Sequence, residues 1–316
     1  MTDSYGRKID YMRISLTDNC NLRCSYCMPD GKISNIHYLS EENVLKCVES
    51  AVGLGITNFR LTGGEPLIYP EITRLIAKMK QIEGVNFIGL TTNGVLLGEK
   101  ADLLKKSRID SINVSLDTIN HAEFTELTGR DCIKKVIDGI DAALDKGIIL
   151  KINTVLRSET DVLKMTEFAN RKNIDIRFIE MMPIGIGHKN QIIPREAVIE
   201  KLKNKYGKVC RVSRHHGENG PAEYYAFEKL NVRIGIIQAI HGKFCDRCNR
   251  IRITSDAKLK PCLADERCID LKEALSMEKN VLTNVIRRGI LEKPESHHFE
   301  YDTEIKENRT MNMIGG

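Results

Sequence analysis

The sequence has no tryptophan, and 5% of its 316 residues are aromatic. It contains no basic run with interleaved aromatic residues, a pattern typical of nucleic-acid-binding surfaces. No stretch approaches the roughly 20 apolar residues that a membrane-spanning helix needs, and Asp3, Arg7 and Asp10 interrupt any signal-peptide-like apolar run near Met1. We therefore expect a cytoplasmic protein that binds neither nucleic acid nor a membrane.

Charge of either sign is also not in large excess. The chain has 48 basic and 43 acidic residues, with a formal net charge of +5. An imbalance of this size is typical of solvated helix faces and does not by itself indicate a nucleic-acid partner. The hydrophobic content of 41% allows a sizeable core, so the composition predicts one large globular domain with an appendage.

Cysteine, in contrast, is abundant, with ten residues. Disulfides rarely persist in a reducing compartment, so metal ligation or redox chemistry is the preferred explanation. Three cysteines stand alone and are most simply buried small hydrophobes: Cys47, Cys132 and Cys210. Six others form two tight groups: Cys20, Cys24 and Cys27, and Cys245, Cys248 and Cys262.

From Tyr11 to about Asn204, short β-rich runs alternate with longer amphipathic runs bounded by glycine, which indicates a βα repeat. Six consecutive units imply parallel strands with helices outside, in a doubly wound sheet or an incomplete barrel. We predict an α/β fold with an incomplete, TIM-like barrel of six βα units. The predicted strands are Tyr11 to Leu16, Thr57 to Thr62, Asn86 to Thr92, Ser111 to Asp117, Ile148 to Val155 and Ile174 to Met181.

Beyond about Lys205 the pattern changes to polar turns and short strand-like runs, Asn231 to Ile237 and Arg250 to Thr254. We therefore predict two domains, a partial barrel over residues 1–205 and a small α+β extension over residues 206–316 that carries the second cysteine group. The charged segment from Glu292 to Arg309 is predicted to be loosely structured.

The first cysteine group follows the first strand with spacings of three and two residues. Thiolates this close in sequence can converge on one metal centre. Three ligands leave one iron of a 4Fe-4S cluster without a protein ligand, which allows that iron to bind a small molecule. A zinc site is the alternative, but it usually needs a fourth nearby protein ligand.

Basic residues also occur inside strands that helices are expected to cover: Arg13, Arg60, Lys151 and Arg177. A buried cation needs an anionic partner. Internal salt bridges could supply it, or the substrate is a polyanion such as a nucleoside triphosphate. Polar residues near the carboxyl ends of the strands, such as Thr91 and Ser115, favour a site at that edge of the sheet.

The second cysteine group has the spacing Cys-two-Cys, and Cys262 follows after a predicted hairpin. A structural zinc site is a stronger alternative here, because Cys268 or His241 could complete a tetrahedral ligand set. Arg250 and Arg252 alternate with isoleucines on the strand beside the cysteines, so both should point to one face. They could bind phosphate there.

The segment from Cys20 to Cys27, followed by Gly63-Gly64-Glu65-Pro66 after the second strand, resembles the radical S-adenosylmethionine superfamily. This resemblance implies that the open iron of a cluster on the first group binds S-adenosylmethionine. One electron then yields methionine and a 5'-deoxyadenosyl radical. In the superfamily, the residue at Tyr26 approaches the adenine and the Gly-Gly-Glu-Pro segment contacts the amino group.

With the second cysteine group, the resemblance covers nearly the whole chain and is specific to the GTP 3',8-cyclase family of molybdenum cofactor biosynthesis. It implies a second 4Fe-4S cluster that binds guanine, held by Cys245, Cys248 and Cys262. It implies catalytic roles for Cys20, Cys24, Cys27, Gly315 and Gly316, and cofactor contacts for Tyr26, Gly64, Glu65, Ser115 and Met182. It implies GTP contacts for Arg13, Arg60, Thr91, Lys151, Arg177, Arg250, Ile251 and Arg252.

The implied reaction is hydrogen abstraction from carbon 3' of the GTP ribose and attack of the resulting carbon radical on carbon 8 of guanine. Reduction by one electron and protonation then give 3',8-cyclo-7,8-dihydro-GTP. The implied partners are an electron donor of the flavodoxin or ferredoxin type and the cyclic pyranopterin monophosphate synthase that takes the product. A homodimer is left open. The alternatives are another radical enzyme with an auxiliary cluster, such as a peptide-modifying maturase, and a non-catalytic iron-sulfur or zinc protein.

Overall fold

The structure is a computed structural model that describes residues 1–28, 36–182, 193–214, 220–297 and 310–315. Its strands within these ranges are β1 (Tyr11–Ser15), β2 (Asn58–Thr62), β3 (Phe87–Thr92), β4 (Ser111–Ser115), β5 (Leu150–Leu156), β6 (Asp175–Glu180), β7 (Val209–Val212), β8 (Glu223–Phe227), β9 (Ile234–Ile237), β10 (Arg250–Ile253), β11 (Lys258–Lys260) and β12 (Ile269–Asp270). They form one sheet in the order β12-β11-β10-β1-β2-β3-β4-β5-β6-β9-β8-β7.

The first six strands are parallel neighbours in chain order, as an incomplete barrel of six βα units requires. All six coincide with the predicted strands to within two residues at either end. The predicted fold class is therefore confirmed. The extension does not form a separate sheet, because β10 joins β1 in parallel at one edge of the barrel strands and β9 joins β6 in parallel at the other.

Helices connect the strands of the barrel and cover its outer face. Those in the described ranges are α1 (Glu41–Val52), α2 (Ile72–Met79), α3 (Leu97–Lys106), α4 (His121–Thr128), α5 (Ile133–Asp145), α6 (Val162–Arg171), α7 (Arg195–Tyr206), α8 (Lys272–Leu275), α9 (Lys279–Leu291) and α10 (Met311–Ile314). Among them, none is long and apolar enough to cross a lipid bilayer.

Local sequence explains how these helices begin and where they pack. At α1, the Ser40 side chain accepts a hydrogen bond from the Asn43 backbone N–H, and Glu41 and Glu42 lie in the first turn, where they complement the helix dipole. Val44 and Val48 are buried one turn apart on the same face. The helix therefore buries its apolar face in the core.

Alternation along the strands separates a hydrophobic face from a polar one. On β1, Met12 and Ile14 are completely buried in the core. Tyr11 and Arg13, at the alternate positions, line a cavity on the other face of the sheet. The same alternation on the other barrel strands gives this inner face its polar and cationic side chains.

Candidate active site

The inner face of the sheet surrounds a cavity of about 330 Å³. Both groups of three cysteines line it, the first from the loop after β1 and the second from the chain around β10 and β11. The strands between them contribute mainly polar and basic side chains. The cavity is therefore one site with a thiol group at each of two positions.

The first three cysteines lie close enough to influence one another's ionisation. Burial raises the pKa of Cys20 to about 11 and that of Cys27 to about 12. Burial and then the neighbouring Cys27 thiol raise the pKa of Cys24 well above its ordinary value. Thiolates at these positions therefore need positive charge beside them, and metal ligation supplies it.

The three thiols of the first group line one cavity, and neighbouring thiols influence one another's ionisation. Within the described ranges, no three Cys, His, Asp or Glu side chains are placed to hold one metal ion together. In a 4Fe-4S cluster each cysteine binds a different iron, so its ligands need not converge on one point. The cysteines of the first group therefore suit such a cluster.

The glycine pair after β2 packs against the cysteine loop itself. Gly64 donates its backbone N–H to the Thr17 carbonyl (2.7 Å), and Glu65 donates its backbone N–H to the Asn19 carbonyl (2.8 Å). A Cβ atom at Gly64 would lie 2.2 Å from the Asn19 carbonyl oxygen. The missing side chain thus allows two loops to pair immediately before Cys20, in addition to exposing Gly64 to the cavity.

Glu65 is completely buried and organises this loop. Its carboxylate accepts hydrogen bonds from the Thr92 hydroxyl (2.6 Å) and from the backbone N–H groups of Leu67 (2.8 Å) and Asn93 (2.7 Å). Burial nevertheless raises the pKa of Glu65 to about 7. The carboxylate therefore ties the end of β3 to the glycine segment.

Tyr26, Ser115 and Met182 all line the cavity. The Tyr26 hydroxyl donates to the Asp117 carboxylate (2.7 Å), which also accepts the Val155 backbone N–H (2.8 Å). Burial and the adjacent Asp117 raise the pKa of Tyr26 well above its ordinary value. The ring of Tyr26 is thus fixed between the cysteine loop and the end of β4, where it can contact a cofactor.

Arginines cluster where β10, β1 and β2 run side by side. The strand register places Arg13 opposite both Arg252 and Arg60. Burial and then Arg252 lower the pKa of Arg13, and burial together with Arg250 lowers the pKa of Arg252 to about 10. So much positive charge in a buried cavity would be stabilised by a bound polyanion.

Neutral groups hold one of these arginines in place. The Arg60 guanidinium donates to the Tyr11 hydroxyl (2.7 Å) and to the Leu90 carbonyl (2.8 Å). A Cβ atom at Gly89 would lie 2.5 Å from Arg60 Nη2, so glycine at that position leaves room for the guanidinium. Burial raises the pKa of Tyr11, but Arg60 and Arg13 outweigh it, and the net pKa is lowered.

One hydroxyl group in this cavity is buried without a hydrogen-bond partner in the described part of the chain. The Thr91 hydroxyl has no hydrogen-bond partner among the described residues, although Thr91 lines the cavity. Buried hydroxyls in proteins are normally hydrogen-bonded. A polar ligand in the cavity would satisfy it.

The second cysteine group has a different electrostatic environment from the first. Burial favours the neutral thiol of Cys248, but Arg250 and Lys293 outweigh it and lower the pKa to about 6. The two candidates for a fourth zinc ligand do not line the cavity: His241 Nδ1 pairs with the Glu180 carboxylate, and the Cys268 thiol contacts the Glu266 carbonyl at 3.6 Å. Three thiolates and cations therefore fit a second cluster with one iron left open.

Most of the residues expected in the site line this cavity, but Glu65, Lys151 and Ile251 do not. Lys151 lies outside the lining, with its ammonium 5.6 Å from the centre of the Tyr224 ring. Ile251 is completely buried in the core, on the opposite face of β10 from Arg250 and Arg252. Its side chain is thus turned away from the cavity, which leaves only its backbone for a substrate contact.

Two residues near the end of the sequence, Asn312 and Gly315, also contact residues of the site. The Gly315 carbonyl accepts a hydrogen bond from Arg252 Nη1 (2.9 Å), and the Asn312 side chain donates to the Asp18 carbonyl (2.9 Å) beside the cysteine loop. Gly315 has a φ of +72°, which favours glycine. Gly316, to which the sequence also assigns a role, lies outside the described residues.

Sequence reasoning missed two basic residues of the site. Lys293 and His297 line the cavity, and 3% and 9% of their surfaces are exposed. The prediction of a loosely structured segment from Glu292 onward is therefore wrong for these two positions. The wrong prediction followed from the local charge density, whereas Lys293 and His297 bond to the distant carbonyls of Pro261 and Ala239.

Comparison with known families agrees with this geometry. The family model of the radical SAM superfamily matches residues 14–169, and that of the molybdenum cofactor synthesis C domain matches residues 174–299. The protein is therefore a radical SAM protein with a molybdenum cofactor synthesis extension. Its curated relatives narrow the assignment further, and the chain belongs to the GTP 3',8-cyclase family.

Two of these relatives illustrate the match. The GTP 3',8-cyclase of Clostridium perfringens is 38% identical over 324 residues, and that of Clostridium acetobutylicum is 40% identical over 322 residues. Each alignment covers 100% of both chains. Each alignment thus spans both cysteine groups and the segments between them.

Solved structures support the fold alone. Streptococcus suis SuiB bound to S-adenosylmethionine has a TM-score of 0.64 at 16% identity, with 89% of this chain and 68% of SuiB covered. The protein anSMEcpe with bound AdoMet has a TM-score of 0.57 at 17% identity, with coverage of 92% and 82%. Identities this low establish the architecture and not the substrate.

Proposed function

We infer that the protein is a radical SAM lyase that converts GTP to 3',8-cyclo-7,8-dihydro-GTP, the first step of molybdenum cofactor biosynthesis. The observation that carries this inference is the single cavity that both cysteine groups line, with buried arginines between them. When bound, the first cluster and S-adenosylmethionine supply the 5'-deoxyadenosyl radical. The chain itself must hold GTP, orient the ribose and exclude water.

We propose that the arginines bind the triphosphate. Arg13, Arg250 and Arg252 share one face of two adjacent strands, and guanidinium groups match phosphate oxygens well. The remaining proposed GTP contacts are Arg60, Thr91, Lys151, Arg177 and Ile251. The triphosphate would neutralise the positive charge that lies on this part of the sheet.

We propose that the first cysteine group and its neighbours hold the other reactant. Cys20, Cys24 and Cys27 would carry the cluster, and the cofactor contacts would come from Tyr26, Gly64, Glu65, Ser115 and Met182. Cys245, Cys248 and Cys262 would carry the second cluster, beside which the base of GTP would lie. Gly315, whose carbonyl accepts a hydrogen bond from Arg252, would have a catalytic role together with Gly316.

The finer assignments extend this proposal. Residues 1–205 would hold S-adenosylmethionine and residues 206–316 the second cluster, although the strands of both parts form one sheet. The electron would come from a donor of the flavodoxin or ferredoxin type, and the product would pass to cyclic pyranopterin monophosphate synthase. A homodimer is compatible with these assignments.

Anaerobically reconstituted protein tests the proposed function. With S-adenosylmethionine and a reductant, we expect 5'-deoxyadenosine to form in a GTP-dependent way, together with the cyclised nucleotide. Formation of 5'-deoxyadenosine at an equal rate without GTP would contradict the substrate assignment. It would favour a radical enzyme that acts on another substrate, such as a peptide.

A further inference from the structure

Lys293 is a buried lysine beside the second cysteine group. It follows α9, and 3% of its surface is exposed. Its ammonium donates a hydrogen bond to the carbonyl of Pro261 (2.8 Å), the residue that precedes Cys262. The side chain lines the cavity, so the ammonium lies at the boundary between the protein interior and the site.

The described residues do not balance this charge. An ammonium has three N–H donors, and the Pro261 carbonyl is the one hydrogen-bond partner of Lys293 in the described part of the chain. None of the carboxylates described lies within salt-bridge distance of it. Burying an unpaired ammonium costs several kcal/mol, so an anion must be present when the protein is complete.

The cysteines of the second group are placed to provide that anion. Lys293 lines the same cavity as Cys245, Cys248 and Cys262, and its ammonium bonds to the residue that directly precedes Cys262. Arg250, at the start of β10 and two residues after Cys248, also lines this part of the site. The second cysteine group therefore lies beside two cationic side chains.

We infer that Lys293 is a positioning residue that supplies the countercharge of the second cluster and makes this cluster easier to reduce than it would be without the ammonium. A 4Fe-4S cluster on three thiolates gains negative charge when it accepts an electron. A nearby buried cation stabilises the reduced state, because cluster potential depends on local charge and on hydrogen bonding. The inference rests on the second cluster of the proposed function.

Redox titration of the second cluster alone tests this role. The parent protein carries Cys20→Ala, Cys24→Ala and Cys27→Ala, so that the second group is the intended cluster site, and dithionite is the reductant. In this background, Lys293→Met removes the positive charge and keeps a side chain of similar length. We expect the equilibrium constant for one-electron reduction to fall at least tenfold, which corresponds to a midpoint about 59 mV lower by EPR-monitored titration.

Two matched variants separate charge from shape. Lys293→Arg keeps a cation and should retain a midpoint near that of the parent. Lys243→Met removes an exposed lysine close in sequence to Cys245, where solvent screens the charge, and should leave the midpoint unchanged. If Lys293→Met loses its iron, retention of four irons by Lys293→Arg supports the countercharge role, and loss of iron from both variants overturns it.

An unchanged midpoint in an iron-replete Lys293→Met protein would also overturn the inference. The titration requires neither GTP nor S-adenosylmethionine, so a failure of the cyclase assay leaves this result intact. A parent protein that binds no cluster on Cys245, Cys248 and Cys262 would refute the second cluster and this inference together.

Discussion

At the scale of single residues, the site follows from alternation along parallel strands. Arg13 and Arg252 occupy the inward positions of β1 and β10, while Met12 and Ile251 fill the core on the other face. Such arginines can be recognised from the sequence, because a basic residue inside an otherwise apolar strand is expected to be buried and therefore to need an anionic partner. The substitution of individual residues tests what each contributes.

Arg252 is the most direct test of triphosphate binding. It is 8% exposed and lies between Arg250 and the Gly315 carbonyl. We expect Arg252→Ala to weaken GTP binding at least about tenfold, a loss of roughly 1.4 kcal/mol or more, because a buried charge-assisted contact disappears. Isothermal titration calorimetry under anaerobic conditions measures the affinity.

Arg247→Ala is the control for Arg252. Arg247 lies close by in the chain, its side chain is 57% exposed, and it is not part of the lining. Arg247→Ala should bind GTP with an affinity within twofold of that of the unsubstituted protein. An affinity for GTP that Arg252→Ala does not alter would favour a radical enzyme with a different substrate.

Glu65 gives the protein a predictable pH dependence. Burial raises its pKa from 4.5 to about 7 in the folded protein, so between these pH values the folded state holds a proton that the unfolded chain has lost. Stability should therefore fall by about 3 kcal/mol as pH rises through this interval. Glu65→Gln cannot ionise and should remove this fall, as thermal melting between pH 5 and pH 8 would show. Equal slopes for both proteins would contradict the role of Glu65.

At the scale of elements, the βα repeat predicts the barrel because each of its strands is bounded by local signals. Ser40 caps the first turn of α1, and Gly53 lies at its end. The edges of the sheet are not predictable in this way. The parallel pairing of Tyr11 with Arg250 joins residues 239 positions apart, and no local pattern specifies such a register.

Lys293 is a second feature that the local sequence pattern does not predict. A charged segment normally indicates solvent exposure, and Lys293 is buried only because a carbonyl and a cysteine group from distant parts of the chain surround it. The cysteine groups themselves were predictable, because each has its ligands within a short segment. That the two groups line the same cavity could be established only from the structure.

The contact between two loops at Gly64 provides a prediction at this scale. Gly64→Ala would place a Cβ atom 2.2 Å from the Asn19 carbonyl oxygen. This contact is with backbone, which cannot rotate away as a flexible side chain could. We expect displacement of the loop that carries Cys20, and therefore loss of about four of the irons and of S-adenosylmethionine binding. Iron analysis and equilibrium dialysis measure the two effects.

Gly98→Ala is a matched control for this substitution. Gly98 lies within α3, and its added Cβ atom would lie 3.6 Å from the nearest atom of another residue, which is ordinary contact. Gly98 is the second residue of α3, where alanine fits the helical backbone as glycine does. Iron content should be unchanged. A Gly64→Ala protein with the full iron content would show that the two loops separate without consequence.

At the scale of the whole molecule, the continuous sheet places two groups of three cysteines around one cavity. The extension contributes β10 beside β1 and β9 beside β6, so the arginines of one part face the cysteines of the other. A cavity built in this way requires both parts of the chain to be folded. It explains why similarity to the curated relatives extends over the full length.

The number of clusters is the corresponding prediction. Two clusters correspond to about eight irons and eight sulfides per chain, and replacement of either cysteine group by alanines should leave about four. Chemical analysis of anaerobically reconstituted protein measures both elements. About four irons with one zinc would instead identify the second group as a structural site.

The central claim is that the radical formed at the first cysteine group reaches GTP bound in the same cavity. GTP carrying deuterium at carbon 3' of the ribose tests it most directly, with mass spectrometry of the 5'-deoxyadenosine formed in one anaerobic turnover. The account predicts one deuterium in that product. 5'-Deoxyadenosine without deuterium, formed while the labelled GTP is consumed, would contradict it.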